Sequence, residues 1–372
     1  MKKVLLLAFL IPVLSFAQTN RTTNQAGDFY NPLIWTPIGL PASGDILTIN
    51  HAVNMNLDIY YTAGEININS GGSLIEDATP RSMWINGGSL SNAGTYSSHL
   101  IWVSSGGSVT NTGTMTGIDS LLADGSVTNN GSAAINDLWI TVAGSLNNTG
   151  TLTNTDSMLV QGTFINSGSA GVYDIAVDQL GLLDNSGALD ISNNFHTQGL
   201  VENTGTIDAA LDFSNCNTQS MDAMFINDGV FCVGNDFLNC DGDTLTGSGA
   251  YYVGNLSSNL GGALTGTHTF NTPTGGLTLN TGTVDVTVTM GTGTCYLGST
   301  GNMDLDYELF PNPTAGNIEL SITNVDYQLF DYTGKKVQSG AVENYTLDLS
   351  KLVGGMYILK IEGAEVQRIL KK

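Results

Sequence analysis

Positive charge is almost missing from most of this chain. The 372 residues carry 11 Lys and Arg against 33 Asp and Glu, a formal net charge of −22. Between Gln18 and Asp304 only Arg21 and Arg81 are basic, against 24 acidic residues. A surface so poor in Lys and Arg cannot neutralise phosphates, which excludes nucleic acid and anionic lipid as partners. Cysteine is scarce, with four residues at 216, 232, 240 and 295, so this is not a disulfide-dense scaffold. Beyond the first seventeen residues no apolar run approaches the roughly 20 residues that a helical membrane span needs, so no transmembrane segment is expected. The sequence has no G-x-S-x-G, no P-loop and no H-E-x-x-H. Its four His, at 51, 99, 196 and 268, fit no metal-ligand spacing.

What the chain has instead is a phrase. "SVTNTGTM" at 108–115 returns as "SLSNAGTY", "SVTNNGSA", "SLNNTGTL", "TFINSGSA", "LLDNSGAL", "LVENTGTI" and "MFINDGVF". Its Asn falls at 92, 111, 129, 148, 166, 185, 203 and 227, in steps of 19 and 18 that alternate and then a step of 24. Three apolar columns keep time with it. Leu90, Val109, Val127, Leu146, Phe164, Leu183, Val201 and Phe225 lie two residues before the Asn. Tyr96, Met115, Ala133, Leu152, Ala170, Leu189, Ile207 and Phe231 lie four after it. Trp102, Leu121, Trp139, Met158, Ala176, Phe195, Phe213 and Phe237 lie ten after it.

Short segments rich in Thr and Val and broken by turn residues are strands, not helices. One unit buries too little to fold alone, whereas stacked units share a continuous core. The expected fold is therefore all-β, a parallel β-helix solenoid with coils about 4.8 Å apart. Asn and Gly suit a corner because both tolerate left-handed backbone, and stacked Asn amides can bond along the axis. The repeats at about 85–232 resemble those of filamentous-haemagglutinin-type β-helix adhesins, which implies a right-handed helix. The six-residue column spacing also admits a left-handed triangular one, but its hexapeptide pattern is missing.

The ends have different textures. "MKKVLLLAFLIPVLSFAQ" joins two Lys, an apolar run and small residues at cleavage spacing, so residues 1–17 read as a secretory signal peptide cut between Ala17 and Gln18. Residues 18–84 hold an N-terminal cap and the first coils. "LIWTPIGLPASGDILTINHAVNMN", with Trp35, Pro41 and Asp45, resembles the opening segment of other secreted β-helical proteins and is expected to cover the first open edge. Regular coils fill 85–300 and loosen after about 232. From 306 Lys reappears, the period stops and alternating residues such as Tyr357, Leu359 and Ile361 predict half-buried strands. That tail is expected to form a small antiparallel Ig-like β-sandwich.

Residues 306–372 also resemble the type A C-terminal sorting domain of type IX secretion cargo. The resemblance rests on Pro311-Asn312-Pro313, the turn at Gly334 with its basic pair, "DLSKL", Gly355-x-Tyr357 and the terminal Lys371 and Lys372. It implies recognition by the outer-membrane translocon, removal by a sortase-like peptidase, and release or attachment to surface lipopolysaccharide after periplasmic transit. "DSL" at 119, "DSM" at 156 and "DTL" at 243 resemble an O-glycosylation sequon of such bacteria, which points to Ser120, Ser157 and Thr244.

Two site expectations follow. Cys216 and Cys240 sit in matching "DFSNC" and "DFLNC" settings on neighbouring coils, and in an exported protein they are expected to form a disulfide, the alternative being two stacked free thiols in the core. Asp119, Asp137, Asp156 and Asp174 each lie eight past an Asn, and a stack of carboxylates on successive coils could bind a structural Ca²⁺, though solvated turn residues are the plainer reading. No organic cofactor is implied. The chain then reads as a non-enzymatic, adhesin-like rod that is secreted or held on the outer cell surface, with a glycan as a candidate ligand. The alternative is a polysaccharide lyase or hydrolase. Against it stand the missing Arg or Lys base, the short coils, and an "NTD" at 154–156 that is similar to one piece of a polygalacturonase site without the others.

Overall fold

The computed structural model describes residues 18–217, 222–293, 309–321, 326–331, 335–342, 345–361 and 367–372. The chain up to residue 293 winds as a parallel β-solenoid of about 13 turns. Each regular coil crosses three faces. Face 1 is a sheet of 15 strands, and faces 2 and 3 together form one of 22. In one coil face 1 is Leu182–Asn185, face 2 is Ala188–Ile191 and face 3 is Phe195–Thr197. In four coils faces 2 and 3 are one continuous strand, as in Thr114–Ala123 and Ser132–Ile140.

The phrase Asn pair directly from coil to coil, Asn92 with Asn111, Asn111 with Asn129, and so on to Asn227. The two columns nearest the Asn point inward and are buried from end to end, from Leu90 and Tyr96 to Phe225 and Phe231. They belong to one uninterrupted core running from Phe29 to Val288.

The third column differs from the expectation. Trp102 and Trp139 are 37% and 46% exposed, and the inward side chains of those coils are Ile101 and Leu138, with Ile175 in place of Ala176. The reason is the alternation of 18 and 19. A shift of register lies between the second and third columns, between Met115 and Ile118 in one coil and between Ile135 and Asp137 in the next. One residue more or less in a strand sends every following side chain to the opposite face.

The corner also works differently from the expectation. The phrase Asn lie within strands, and Gly113 or Gly131 is not among the glycines with positive φ, which sit at other bends such as Gly87 and Gly106 (φ 92° and 86°). Gly is needed for closeness: a Cβ on Gly131 would run into the carbonyl oxygen of Gly113 one coil below. The Asn side chains point inward and form an unbroken amide ladder. Each Nδ2 reaches the Oδ1 of the next Asn at 2.7–2.8 Å from Asn92 through to Asn227. A second amide N–H donates to a backbone carbonyl of that next coil, for example Asn148 to Ser169 O at 3.1 Å. After Asn227 the position is taken by Gly247, and by then a second ladder at another corner is in place, Asn215 to Asn239 to Asn259 to Asn280 at 2.8–3.0 Å.

The first coil is closed by a short strand. Strand Trp35–Thr36 runs antiparallel to Asn20–Thr23 and occupies its open edge. Trp35 is fully buried, donates its indole N–H to Phe29 O at 2.9 Å and meets the Phe29 ring edge-on. Asp45 ties the cap together, pairing with Arg21 at 2.8 Å and accepting from the backbone N–H of Thr19 and Ala42.

The tail is a separate antiparallel unit. A three-stranded sheet (Leu309–Phe310, Asn317–Leu320, Thr346–Asp348) and a four-stranded one (Asp326–Asp331, Lys336–Ala341, Gly355–Ile361, Gln367–Lys371) share a small core of Ile318, Leu329, Leu347, Leu359 and Ile369. Among the described residues no helix is long and apolar enough to cross a membrane.

Candidate functional site

The register shift places a line of large side chains on the outside of face 3. In successive coils the outward residues Tyr60, Trp84, Trp102, Leu122, Trp139 and Leu159 pair directly with one another. Tyr60 and Trp84 stack with centroids 4.2 Å apart and planes 3° from parallel. Trp102 and Trp139 are anchored by their indole N–H groups, to Asp124 Oδ2 at 2.7 Å and to Gln161 Oε1 at 2.9 Å, both on the following coil. These bonds hold the rings against the sheet while leaving much of them in water.

Polar residues border the line on both sides. Two positions after it lie Asn86, Ser104, Asp124, Thr141, Gln161 and Asp178, joined by bonds such as Ser104 Oγ to Asn86 Oδ1 at 2.8 Å and Gln161 Nε2 to Asp178 Oδ2 at 2.8 Å. Two positions before it the paired residues are Ser120, Asp137, Ser157 and Asp174. A shallow depression opens between Ser120, Leu122, Asp137, Trp139 and Ser157. Another lies against Tyr60, Trp84, Asn86 and Trp102.

That second border corrects the carboxylate stack. Asp137 and Asp174 alternate with serines in the paired column, and Asp119 and Asp156 fall one residue earlier, at the shift. Each of three of these carboxylates has its own donors: Asn136 reaches Asp119 at 3.3 Å, Ser157 reaches Asp137 at 2.8 Å, and Asn193 and the Asn194 N–H bind Asp174. Among the described residues no cluster of three or more His, Cys, Asp or Glu is arranged to hold a metal ion. The "NTD" triplet is split likewise, with Asn154 turned inward to bond the Asn136 and Ser157 carbonyls and Asp156 exposed. Ser120 and Ser157 sit beside the aromatic line two coils apart, while Thr244 is on face 1 and half-buried.

Cys216 and Cys240 are joined in a disulfide with Cα atoms 4.9 Å apart. Cys232 is a buried free thiol, and Cys295 lies outside the described residues. On face 2 Asp190, Asp208 and Cys232 succeed one another in register. Asp208 is only 6% exposed and its Oδ1 has no partner; burial, then the charge of Asp190, pushes its carboxyl up to about 7. Of the histidines, His196 is half-buried between Ser214 and Gln198, and burial lowers its pKa.

In the tail, the Pro311-Asn312-Pro313 motif clasps the last strand. Asn312 donates to Arg368 O at 2.6 Å and accepts from the Leu370 N–H at 2.9 Å. Thr314 continues the clasp, to Leu370 O and from the Lys372 N–H. Lys371 is only 8% exposed and its ammonium donates to Ala315 O at 2.6 Å, whereas Lys372 is exposed. Tyr357 is buried and its hydroxyl closes on Val353 O at 2.8 Å, two residues before Gly355. Gly334 and Ala17 lie outside the described residues, and Gln18 is the first of them, exposed.

A parallel solenoid followed by a small antiparallel unit whose motif secures its own C-terminus defines a rod with an appended module. Residues 308–372 match the family model described as the secretion system C-terminal sorting domain. The tail is therefore a type IX secretion sorting domain, which marks the protein for export with secretion or surface attachment as the destination. No curated protein and no solved structure matches it.

Proposed function

We propose that the protein is a non-enzymatic, adhesin-like rod displayed on, or released from, the outer cell surface. The observation that carries this reading is the evenness of the regular coils: from Asn92 to Asn203 successive coils turn through corners of a few residues, and among the described residues of these coils the solvent face is a row of paired strands without loops to wall off a reaction cleft. Export would use the signal peptide at the inner membrane and the tail at the outer one. Removal of the tail by a sortase-like peptidase and transfer to surface lipopolysaccharide complete the reading.

One observation favours the alternative, a polysaccharide-degrading enzyme: the exposed Trp102 and Trp139 run beside Asp124 and Asp137. Those carboxylates are occupied, Asp124 by Trp102 and Thr141 and Asp137 by Ser157. The test has two arms. The exported protein incubated with neutral and acidic polysaccharides should release neither reducing ends nor unsaturated products, and a deletion strain should lose adhesion to glycan-coated surfaces. Product formation would move the protein to the enzyme class.

A further inference from the structure

We infer that the outward line Tyr60, Trp84, Trp102, Leu122 and Trp139 is a binding platform for an uncharged polysaccharide laid along the solenoid axis. This rests on the reading of the protein as a surface-displayed rod and names the ligand class that such a rod would grip.

The chemistry comes from three features. The first is the rings. A sugar presents one or both faces of its ring as a patch of C–H groups, and such patches pack on aromatic surfaces. Solvent-exposed Trp is costly for a soluble rod unless it is used, yet three of the four Trp in the chain occupy this one line. The indole N–H groups of Trp102 and Trp139 are already satisfied at Asp124 and Gln161, so these rings do not need to reorganise on binding. The second feature is the borders. Hydroxyl, amide and carboxylate groups flank the rings on both sides, as equatorial sugar hydroxyls require once the ring face is covered. The third is charge. Between Gln18 and Asp304 there are two basic residues and 24 acidic ones, and both basic ones are engaged, Arg21 with Asp45 and Arg81 with Asp77. Uronic, sulfated or phosphorylated glycans would meet only repulsion. The coil spacing of about 4.8 Å matches the scale of one sugar ring, so an extended chain can place successive rings over successive coils.

The aromatic part of the column is confined to these coils: beyond Leu159 it continues as Ala176, His196, Ser214, Leu238, Ser258 and Leu279, with no Trp or Tyr.

The test uses the full exported chain in affinity electrophoresis through gels holding neutral β-glucan, xylan or mannan, with alginate as the anionic control, and tryptophan fluorescence during titration with neutral oligosaccharides. The expected result is retardation by at least one neutral glycan and none by alginate. Trp102→Ala and Trp139→Ala should each weaken retention by about tenfold or more. The fluorescence should change on titration, because Trp35 is buried in the cap and the other three Trp report the line. Ile165→Ala, on the outside of face 1, should bind as the parent. Retention that survives both Trp substitutions, or no retention and no fluorescence response with any neutral glycan, would overturn the assignment. Adhesion lost in a deletion strain but kept by the Trp variants would overturn it while leaving the adhesin reading intact.

Discussion

Cys216 and Cys240 occupy equivalent positions on adjacent coils, 4.9 Å apart at Cα, and their disulfide closes a 24-residue span. Each follows a ladder residue, Asn215 and Asn239, which are themselves hydrogen-bonded at 2.8 Å. The cross-link therefore pins the coil at its second amide corner. On the chain-entropy model a loop of this size stabilises by about 3.5 kcal/mol. Reduction, or Cys216→Ser with Cys240→Ser, should lower the thermal midpoint and open residues 216–240 to protease. Limited proteolysis with mass mapping, with and without reductant, measures it.

The first amide ladder makes a sharper prediction. Asn148→Ala removes the donors to Asn166 and Ser169 and strips the Asn129 amide of its acceptor, all in the buried interior. Leaving several buried polar groups unpaired should cost about 3 kcal/mol or more. Asn92→Ala, at the ladder's end, loses the same kind of bonds but orphans no Asn beneath it, and should cost less. Equilibrium denaturation of the two variants checks the ranking.

Asp208 sets a pH dependence. Its carboxyl is held at about 7 in the folded protein by burial and by Asp190, against roughly 3.9 when unfolded. The folded state thus binds a proton that the unfolded state releases between those values. Stability from this group is greatest below about pH 4, falls as pH rises towards 7 and is level above. Asp208→Asn, whose amide can donate to Asp190, should be neutral at pH 4 and more stable than the parent by roughly 2 kcal/mol at pH 8. Thermal melts across that range decide it; a parent that gains stability from pH 5 to 7 relative to the variant would contradict the assignment.

For the tail, Asn312→Ala removes both bonds to the terminal strand. The expected outcome is a folded solenoid that stays inside the cell envelope. Fractionation into periplasm, surface and medium, with circular dichroism of the purified variant, separates lost export from lost folding.

Much of this was legible beforehand because the repeat writes its own geometry. Val109, Val127 and Leu146 keep constant distance from Asn111, Asn129 and Asn148, and they are buried in register. The third column was not legible by counting, since the continuous strand is ten residues in the 18-residue coils and nine in the 19-residue ones, which make up the difference at the next corner, and that one residue inverts everything after it. Counting alone therefore points Trp102 and Trp139 inward and hides the outward aromatic line. The alternation of 18 and 19 is the available signal, together with Trp in a column otherwise of Leu, Met, Phe and one Ala. The same slip made four aspartates look stacked. The role of Gly at the phrase is hidden for another reason: Gly113 and Gly131 are demanded by a neighbour one coil away, and contact across coils leaves no trace in local propensity.

The ladder of Asn amides also gives the rod a direction. Every rung donates towards the higher-numbered coil, so a half-wound chain ends at a tip with two unused N–H groups, while the opposite end is sealed by Trp35–Thr36. A rod cut short within the ladder therefore carries two buried donors without acceptors at that tip, and the two ends of the solenoid are chemically unlike.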